Sequence, residues 1–342
     1  MVFPMKHKNI AIITDIAGHT LTREDKKVIA HPLVQGIILF THNFVCSAQL
    51  IKLIDSIRNI KPQIIICVDH EGGRVQRFRS DGFTPLPAMQ TLGNLFALQP
   101  QTALDLTYKT GWLLATELTD HGIDFSFTPV LDLDMGLNQV IGERSFGADA
   151  HSVYVLAEAL IQGIGSTGMK VVAKHFPGHG HVKEDSHQTL PIDQRSLAAI
   201  ESQDLLPFRY LIQKRLVDAV MPAHVLYPVL DSVPAGFSQF WLKDLLRKRL
   251  GFSGLIMSDD LSMLAVQAVG SLTNAAKLAI DAGVNALLVC QNQANTLNLL
   301  AYLDAAQVQP EDIRAMARRS EVTGSQVFSK DEVKSCLRSL FN

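Results

Sequence analysis

Two stretches of the chain gather the side chains that acid–base and nucleophilic chemistry require. The denser one runs Lys174-His175-Phe176-Pro177-Gly178-His179-Gly180-His181 and is followed by Asp185-Ser186-His187. Pro177 stops a strand from continuing, and the glycines make the segment a loop suited to deliver a proton donor and withdraw it. If Asp185 accepts from one nitrogen of His187, the carboxylate fixes the tautomer and favours the charged ring. His187 can then give a proton in one step and take one back in the next. Asp-x-His is equally a common surface tripeptide. The second stretch is Gly254-Leu255-Ile256-Met257-Ser258-Asp259-Asp260-Leu261-Ser262-Met263. Asp259 falls where the apolar run stops, and a carboxylate there can attack an anomeric carbon. Asp260 is better suited to cap the following helix, and on the plainer reading both aspartates do only that.

A third segment, Asp69-His70-Glu71-Gly72-Gly73-Arg74-Val75-Gln76-Arg77, offers an acceptor in Asp69 and a forked donor in Arg77 for sugar hydroxyls; a salt bridge between the two is the alternative. Ile141-Gly142-Glu143-Arg144-Ser145-Phe146-Gly147 places another arginine in a later loop. His175, His179, His181, Asp185 and His187 crowd one loop, and imidazoles with a carboxylate suit zinc, so a metal-dependent barrel hydrolase is the chief rival. Zinc prefers fixed ligands, which a glycine-rich loop does not favour, and we expect neither metal nor cofactor. Gly163-Ile164-Gly165-Ser166-Thr167-Gly168 matches a dinucleotide fingerprint formally, but here a helix precedes it and a strand follows, the reverse of the required order.

These groups need a scaffold that brings distant segments together. Short runs rich in Val, Ile, Leu and Phe recur, each followed by a longer stretch of helical period, which is the pattern of βα units and a parallel sheet. Eight runs are expected as strands: Ile10–Thr14, Gly36–Phe40, Ile64–Asp69, Ile123–Thr128, Lys170–His175, Ala219–His224, Leu255–Asp259 and Ala286–Cys290. Helices are expected over Ser47–Asn59, Thr102–Asp120, Ser152–Gly165, Gln194–Lys214, Ser238–Lys248, Ser262–Ala282 and Asn295–Ala306. The pattern predicts an α/β fold of the (β/α)8 barrel type, forming one catalytic domain over 1–342 with a helical extension after about residue 307. An open doubly wound sheet would use fewer strands. Five runs end in Asp69, Lys174-His175, His224, Asp259-Asp260 and Cys290-Gln291, and a barrel would converge them on the face where strands end.

Composition narrows the partners. With 31 Lys and Arg against 33 Asp and Glu, the net charge is −2, and the signs are scattered. No single-sign field would gather nucleic acid or anionic lipid, and a neutral or mixed-charge small molecule fits better. The four cysteines, Cys46, Cys67, Cys290 and Cys336, form no CxxC pair and are expected as reduced core residues. The apolar stretch Ile10–Ile13 ends at Thr14-Asp15, too short for a secretory signal, and no run approaches the ~20 apolar residues of a membrane helix. A cytoplasmic protein is the expectation, and a monomer the default.

The motifs together resemble glycoside hydrolase family 3, and within it the bacterial cytoplasmic β-N-acetylglucosaminidases of peptidoglycan recycling. The likeness runs from Asp69–Arg77 through Val140–Phe146, Lys174–Gly180, Asp185–His187, Met221-Pro222-Ala223-His224 and Pro234–Ser238 to Ser258–Met263. It implies a barrel fold and a nucleophile at Asp259. It further implies a histidine acid/base at His187 supported by Asp185, and sugar-binding positions at Asp69, Arg77, Arg144, Lys174 and His175. The implied substrate is a muropeptide carrying N-acetylglucosamine β-1,4-linked to anhydro-N-acetylmuramic acid. His70 and Gln291 depart from the residues usual in the family, Gln and Asn, and are expected to adjust the rim of the pocket.

Overall fold

The computed structural model of the protein describes Met5 and residues 8–137, 140–184, 189–318, 328–338 and 340. Eight parallel strands form a closed ring: β1 (Asn9–Thr14), β2 (Val34–Leu39), β3 (Ile65–Val68), β4 (Phe125–Ser126), β5 (Lys170–Phe176), β6 (Ala219–Pro222), β7 (Leu255–Asp260) and β8 (Ala286–Val289). Each pairs with the next in chain order. Closure comes from β1 against β8, with Ala11 opposite Ala286 and Thr14 opposite Val289. The strands read as continuous apolar runs because the barrel interior covers one face and helices cover the other. Ile10, Ile12, Ile37, Ile66, Val172, Val220, Ile256 and Leu287 are accordingly all fully buried. This is the (β/α)8 architecture the alternation predicts.

The surrounding helices follow from spacing and punctuation. α2 (Ser47–Ile60) buries Leu50, Leu53, Ile54 and Ile57, three or four residues apart on one face. α4 (Pro100–Asp120) starts two residues earlier than expected, with proline in the first turn where its missing N–H costs nothing. α5 (Ala150–Gly165) runs into β5 through the turn at Ser166–Gly168, so the glycine-rich hexapeptide closes a helix rather than cradling a phosphate. Two helices escape the sequence pattern. α1 (Arg23–Ala30) is short and mostly charged and is held by a Thr22–Asp25 capping box. α3 (Met89–Leu98) precedes α4 with only Gln99 between them.

Three expected helices are interrupted or altered. The Gln194–Lys214 segment divides into α6 (Leu197–Glu201) and α7 (Leu205–Gln213). Pro207 cannot donate to a preceding carbonyl, and Asp204 turns inward onto His181 and Arg195. The Ser262–Ala282 segment becomes a 3-10 turn at Leu264–Val269 and α8 (Leu272–Ala282), broken at Gly270 (φ 94°) and restarted by a Ser271 cap. The segment expected over Ser238–Lys248 is a π-helix at Phe240–Arg249, closed by the Leu250 amide on the Leu245 carbonyl. After α9 (Gln293–Ala305), Gln309–Pro310 pairs beside the start of β1, and α10 (Lys330–Arg338) buries Val333 and Leu337 and sets Lys334 on Glu117 of α4. No helix among the described residues is long and apolar enough to cross a membrane.

Candidate active site

The C-terminal ends of the strands open into a cavity of 310 Å³. β3 contributes Asp69, β5 contributes Lys174 and His175, and β7 contributes Asp259 and Asp260; Cys290 and Gln291 follow β8. Loops add Arg77 and Arg144, and Ile38, Met221, Met263 and Leu288 give the lining an apolar part. Six of the eight expected site residues therefore share one cavity although they lie as far apart as residues 69 and 259 in the chain. Asp185 and His187, the other two, lie outside the described residues. A wider groove of 710 Å³ between α1 and α2, lined by residues including Lys26, Cys46 and Lys52, contains none of them.

One wall is a chain of ion pairs. Arg77 Nη2 donates to Asp69 Oδ2 at 3.2 Å, and the guanidinium carbon Cζ lies over Phe40, 5.4 Å from the ring centre. Lys174 Nζ reaches Asp69 Oδ1 at 3.0 Å and Glu71 Oε1 at 2.6 Å. Arg144 grips Glu71 with two parallel bonds of 2.8 Å, Nε to Oε2 and Nη2 to Oε1. Burial alone would push both carboxyls up. Lys174 and Arg77 outweigh it at Asp69 and hold that group well below the usual range. Arg144 and Lys174 do the same at Glu71, whose pKa falls to about 2. Burial likewise opposes the Arg144 charge, and Glu71 more than restores it. Asp69 and Arg77 thus form the salt bridge of the alternative reading, and both line the cavity.

A second buried carboxylate supports β5. Asp132 accepts from His175 Nδ1 at 2.6 Å and from the backbone amides of His175 and His179, the latter at 2.7 Å. Burial opposes its charge, but His175 keeps the carboxyl below its ordinary value. With Nδ1 directed at Asp132, Nε2 is the ring atom of His175 left for a ligand. His179 is pushed down to about 4, first by burial and then by His175. The Lys174–His175 peptide is cis, and these adjacent residues both line the cavity. Gly180 lets the loop after β5 approach Leu133 so closely that any β-carbon would collide with its carbonyl oxygen.

On the opposite side, Asp259 and Asp260 end β7 half-buried. Asp260 accepts the amide and hydroxyl of Ser262 at 2.9 and 2.6 Å and the Cys290 amide at 3.2 Å, so it closes the turn as a cap would. Asp259 Oδ1 accepts the Asp260 amide at 2.8 Å.

Several expectations need correction. His224 does not itself line the cavity: it is 1 % exposed and stacks on Phe237, yet it lies against Asp259 and Asp260, whose charges oppose the lowering of its pKa by burial. His70 is buried against Phe78 and Phe83, so it sits behind the site and not at its rim; burial, then Arg79 and Arg77, lower its pKa to about 3. Gln291 does line the cavity. Cys67 and Cys290 are free and buried as expected, whereas Cys46 and Cys336 are free but only half-buried. Of the histidines gathered for the rival zinc reading, His175 turns to Asp132 and His181 to Asp204 at 2.9 Å. Among the described residues no three His, Cys, Asp or Glu side chains converge as a metal site. Sequence reasoning gave no role to Glu71 and missed Asp132 altogether. The one available signal was their place, directly beyond β3 and β4.

Comparison with known proteins bears on this arrangement. The Glycosyl hydrolase family 3 N terminal domain matches residues 6–321. A β-hexosaminidase of Methylobacillus flagellatus is 48 % identical over 308 residues, which is 90 % of this chain and 87 % of that protein. A β-hexosaminidase of Bordetella avium is 46 % identical over 306 residues, 89 % of this chain and 87 % of the other. Among solved structures, NagZ from Neisseria gonorrhoeae in complex with N-trifluoroacetyl-D-glucosamine superposes with a TM-score of 0.87 at 41 % identity, covering 98 % of this chain and 99 % of that one. A match of this extent, on a barrel whose strand ends present carboxylates facing a cationic wall, shows that the chain belongs to glycosyl hydrolase family 3 and is a glycoside hydrolase.

Proposed function

We propose that the protein is a retaining exo-β-N-acetylglucosaminidase that releases terminal β-1,4-linked N-acetylglucosamine from peptidoglycan fragments in which that sugar precedes anhydro-N-acetylmuramic acid. The observation that carries this reading is the cavity itself: Asp259 at the end of β7 shares it with Asp69, Arg77, Lys174, Arg144 and His175. Carboxylate and cationic groups fixed against one another by ion pairs are suited to hold sugar hydroxyls in one orientation, and a space of 310 Å³ suits one terminal sugar better than a chain. The β-hexosaminidase relatives and the N-trifluoroacetyl-D-glucosamine bound by the Neisseria protein support the choice of sugar.

In the proposed reaction Asp259 attacks C1 while protonated His187 gives its proton to the leaving oxygen, forming a glycosyl ester. Neutral His187 then removes a proton from water, which attacks C1 and returns the Asp259 carboxylate with the β configuration retained. Asp185 orients the imidazole and favours its charged form, so that His187 stands in for the acid/base carboxyl group of an ordinary retaining enzyme. The same reading has the chain acting as a monomeric cytoplasmic enzyme of one catalytic domain, with a helical extension after about residue 307. Incubation with a fluorinated N-acetylglucosaminyl donor, digestion and mass spectrometry should recover the sugar as an ester on Asp259. A label on another residue would exclude the proposed nucleophile, and failure to release N-acetylglucosamine from a purified muropeptide would exclude the proposed substrate.

A further inference from the structure

Glu71 does not line the cavity, yet two cavity cations depend on it. Its carboxylate is 1 % exposed. It occupies one hydrogen of Lys174 and two of Arg144, at 2.6, 2.8 and 2.8 Å. Lys174 gives a further hydrogen to Asp69, and Arg144 gives one to the Val140 carbonyl at 3.0 Å. From the donor complement of each side chain, that leaves one hydrogen on Lys174 and two on Arg144 for a molecule in the cavity. Asp69 does not join the two cations, since its bonds go to Lys174 and Arg77 and not to Arg144. Among the described residues, the Glu71 carboxylate is the one that bonds both Lys174 on β5 and Arg144 on a loop beyond β4, and in a buried setting such a satisfied three-group network is rigid.

We propose that Glu71 is a positioning residue for the hydrolysis: it locks Lys174 and Arg144 into one fixed pair of donors and never touches the sugar itself. A glutamine at 71 would keep the shape but turn an amide N–H₂ toward Lys174 or Arg144, so one of the two donors must leave its place. The proposal rests on the reading that these two cations hold hydroxyls of the terminal N-acetylglucosamine.

The test compares the native chain and Glu71→Gln on 4-nitrophenyl N-acetyl-β-glucosaminide and on its 3-, 4- and 6-deoxy analogues, reading kcat/KM. In the native chain, removing the hydroxyl held by the pair should cost about 10- to 100-fold, the range for a hydrogen bond to a charged group. Glu71→Gln should be slower on the parent glycoside, and the same deoxygenation should then cost it less than about 3-fold, since the contact is already lost. Glu71→Asp keeps the charge but shortens the reach and should show a reduced deoxygenation cost as well. It provides the same readout if the glutamine variant fails to fold by circular dichroism. Equal deoxygenation costs in native and variant chains would overturn the proposal and leave Glu71 a merely structural residue. A native chain that hydrolyses the parent but is indifferent to every deoxygenation would instead remove the sugar-holding role of Lys174 and Arg144, and the proposal with it.

Discussion

Asp259 and Asp260 are neighbours with different surroundings. Asp260 accepts from Ser262 and Cys290, and burial, with the nearby Asp259 charge, moves its carboxyl up. Replacing it with Asn keeps the shape of the turn, and Asp260→Asn should stay within about 10-fold of the native rate, since a cap substitution acts chiefly on stability. Asp259→Asn removes the proposed nucleophile and should lower kcat by roughly 10⁴-fold or more, as losing one member of a covalent machinery does. Release of 4-nitrophenol from the aryl glycoside, with circular dichroism as a check on folding, reads both, and a normal rate for Asp259→Asn would refute the mechanism. His187→Ala is tested by leaving group. Poor leaving groups should lose about 10²- to 10⁴-fold, the usual contribution of a positioned acid, while activated aryl groups should lose far less. Equal losses on both classes would mean that His187 does not carry the proton.

The loop after β5 is held by elements that come later in the chain. Asp204, at the break between α6 and α7, binds His181 on one oxygen and Arg195 Nη1 on the other at 2.9 and 2.8 Å, and it is 1 % exposed. Arg195 is also gripped by Asp193, and Tyr227 donates from its hydroxyl to the Gly178 carbonyl at 2.5 Å. Asp204→Ala leaves an arginine and a histidine without their shared anion and should destabilise the protein by about 3 kcal/mol. Asp312→Ala, which breaks an exposed pair with Arg314 that water already screens, should move the melting temperature much less. Thermal unfolding of the two variants measures the difference; equal shifts would show that the Asp204 junction does not secure the fold.

Acid should unfold the molecule through two sets of groups. His70 and His179 are held neutral, at about 3 and about 4 against an ordinary 6.5, mainly by burial. Because the unfolded chain takes up their protons first, the stability they contribute is complete above about 6.5 and is lost as pH falls toward 4 and 3. Glu71, at about 2 against 4.5, behaves in the same sense: its contribution is complete above about 4.5 and disappears as pH approaches 2. The melting temperature should therefore begin to fall below about pH 6.5 and keep falling to pH 2. Glu71→Gln should flatten only the part below 4.5. Melting curves across pH 2–8 would contradict this if stability were constant down to pH 4.

The parallel alternation and the position of reactive groups at strand ends were legible in the sequence because period and propensity are properties of neighbouring residues. The same locality explains the errors. α1 is too short and charged to show a period, and the Gln194–Lys214 stretch looks continuous unless Pro207 is read as a stop. Glu71 meets Arg144 across 73 residues and Asp132 meets His175 across 43, and no local pattern marks a carboxylate whose partner is chosen in space. The sequence by itself determined which residues end the strands, and hence which groups were available for chemistry. Only the tertiary structure decided which buried charges hold one another, because that choice depends on barrel closure and on how little water remains between them.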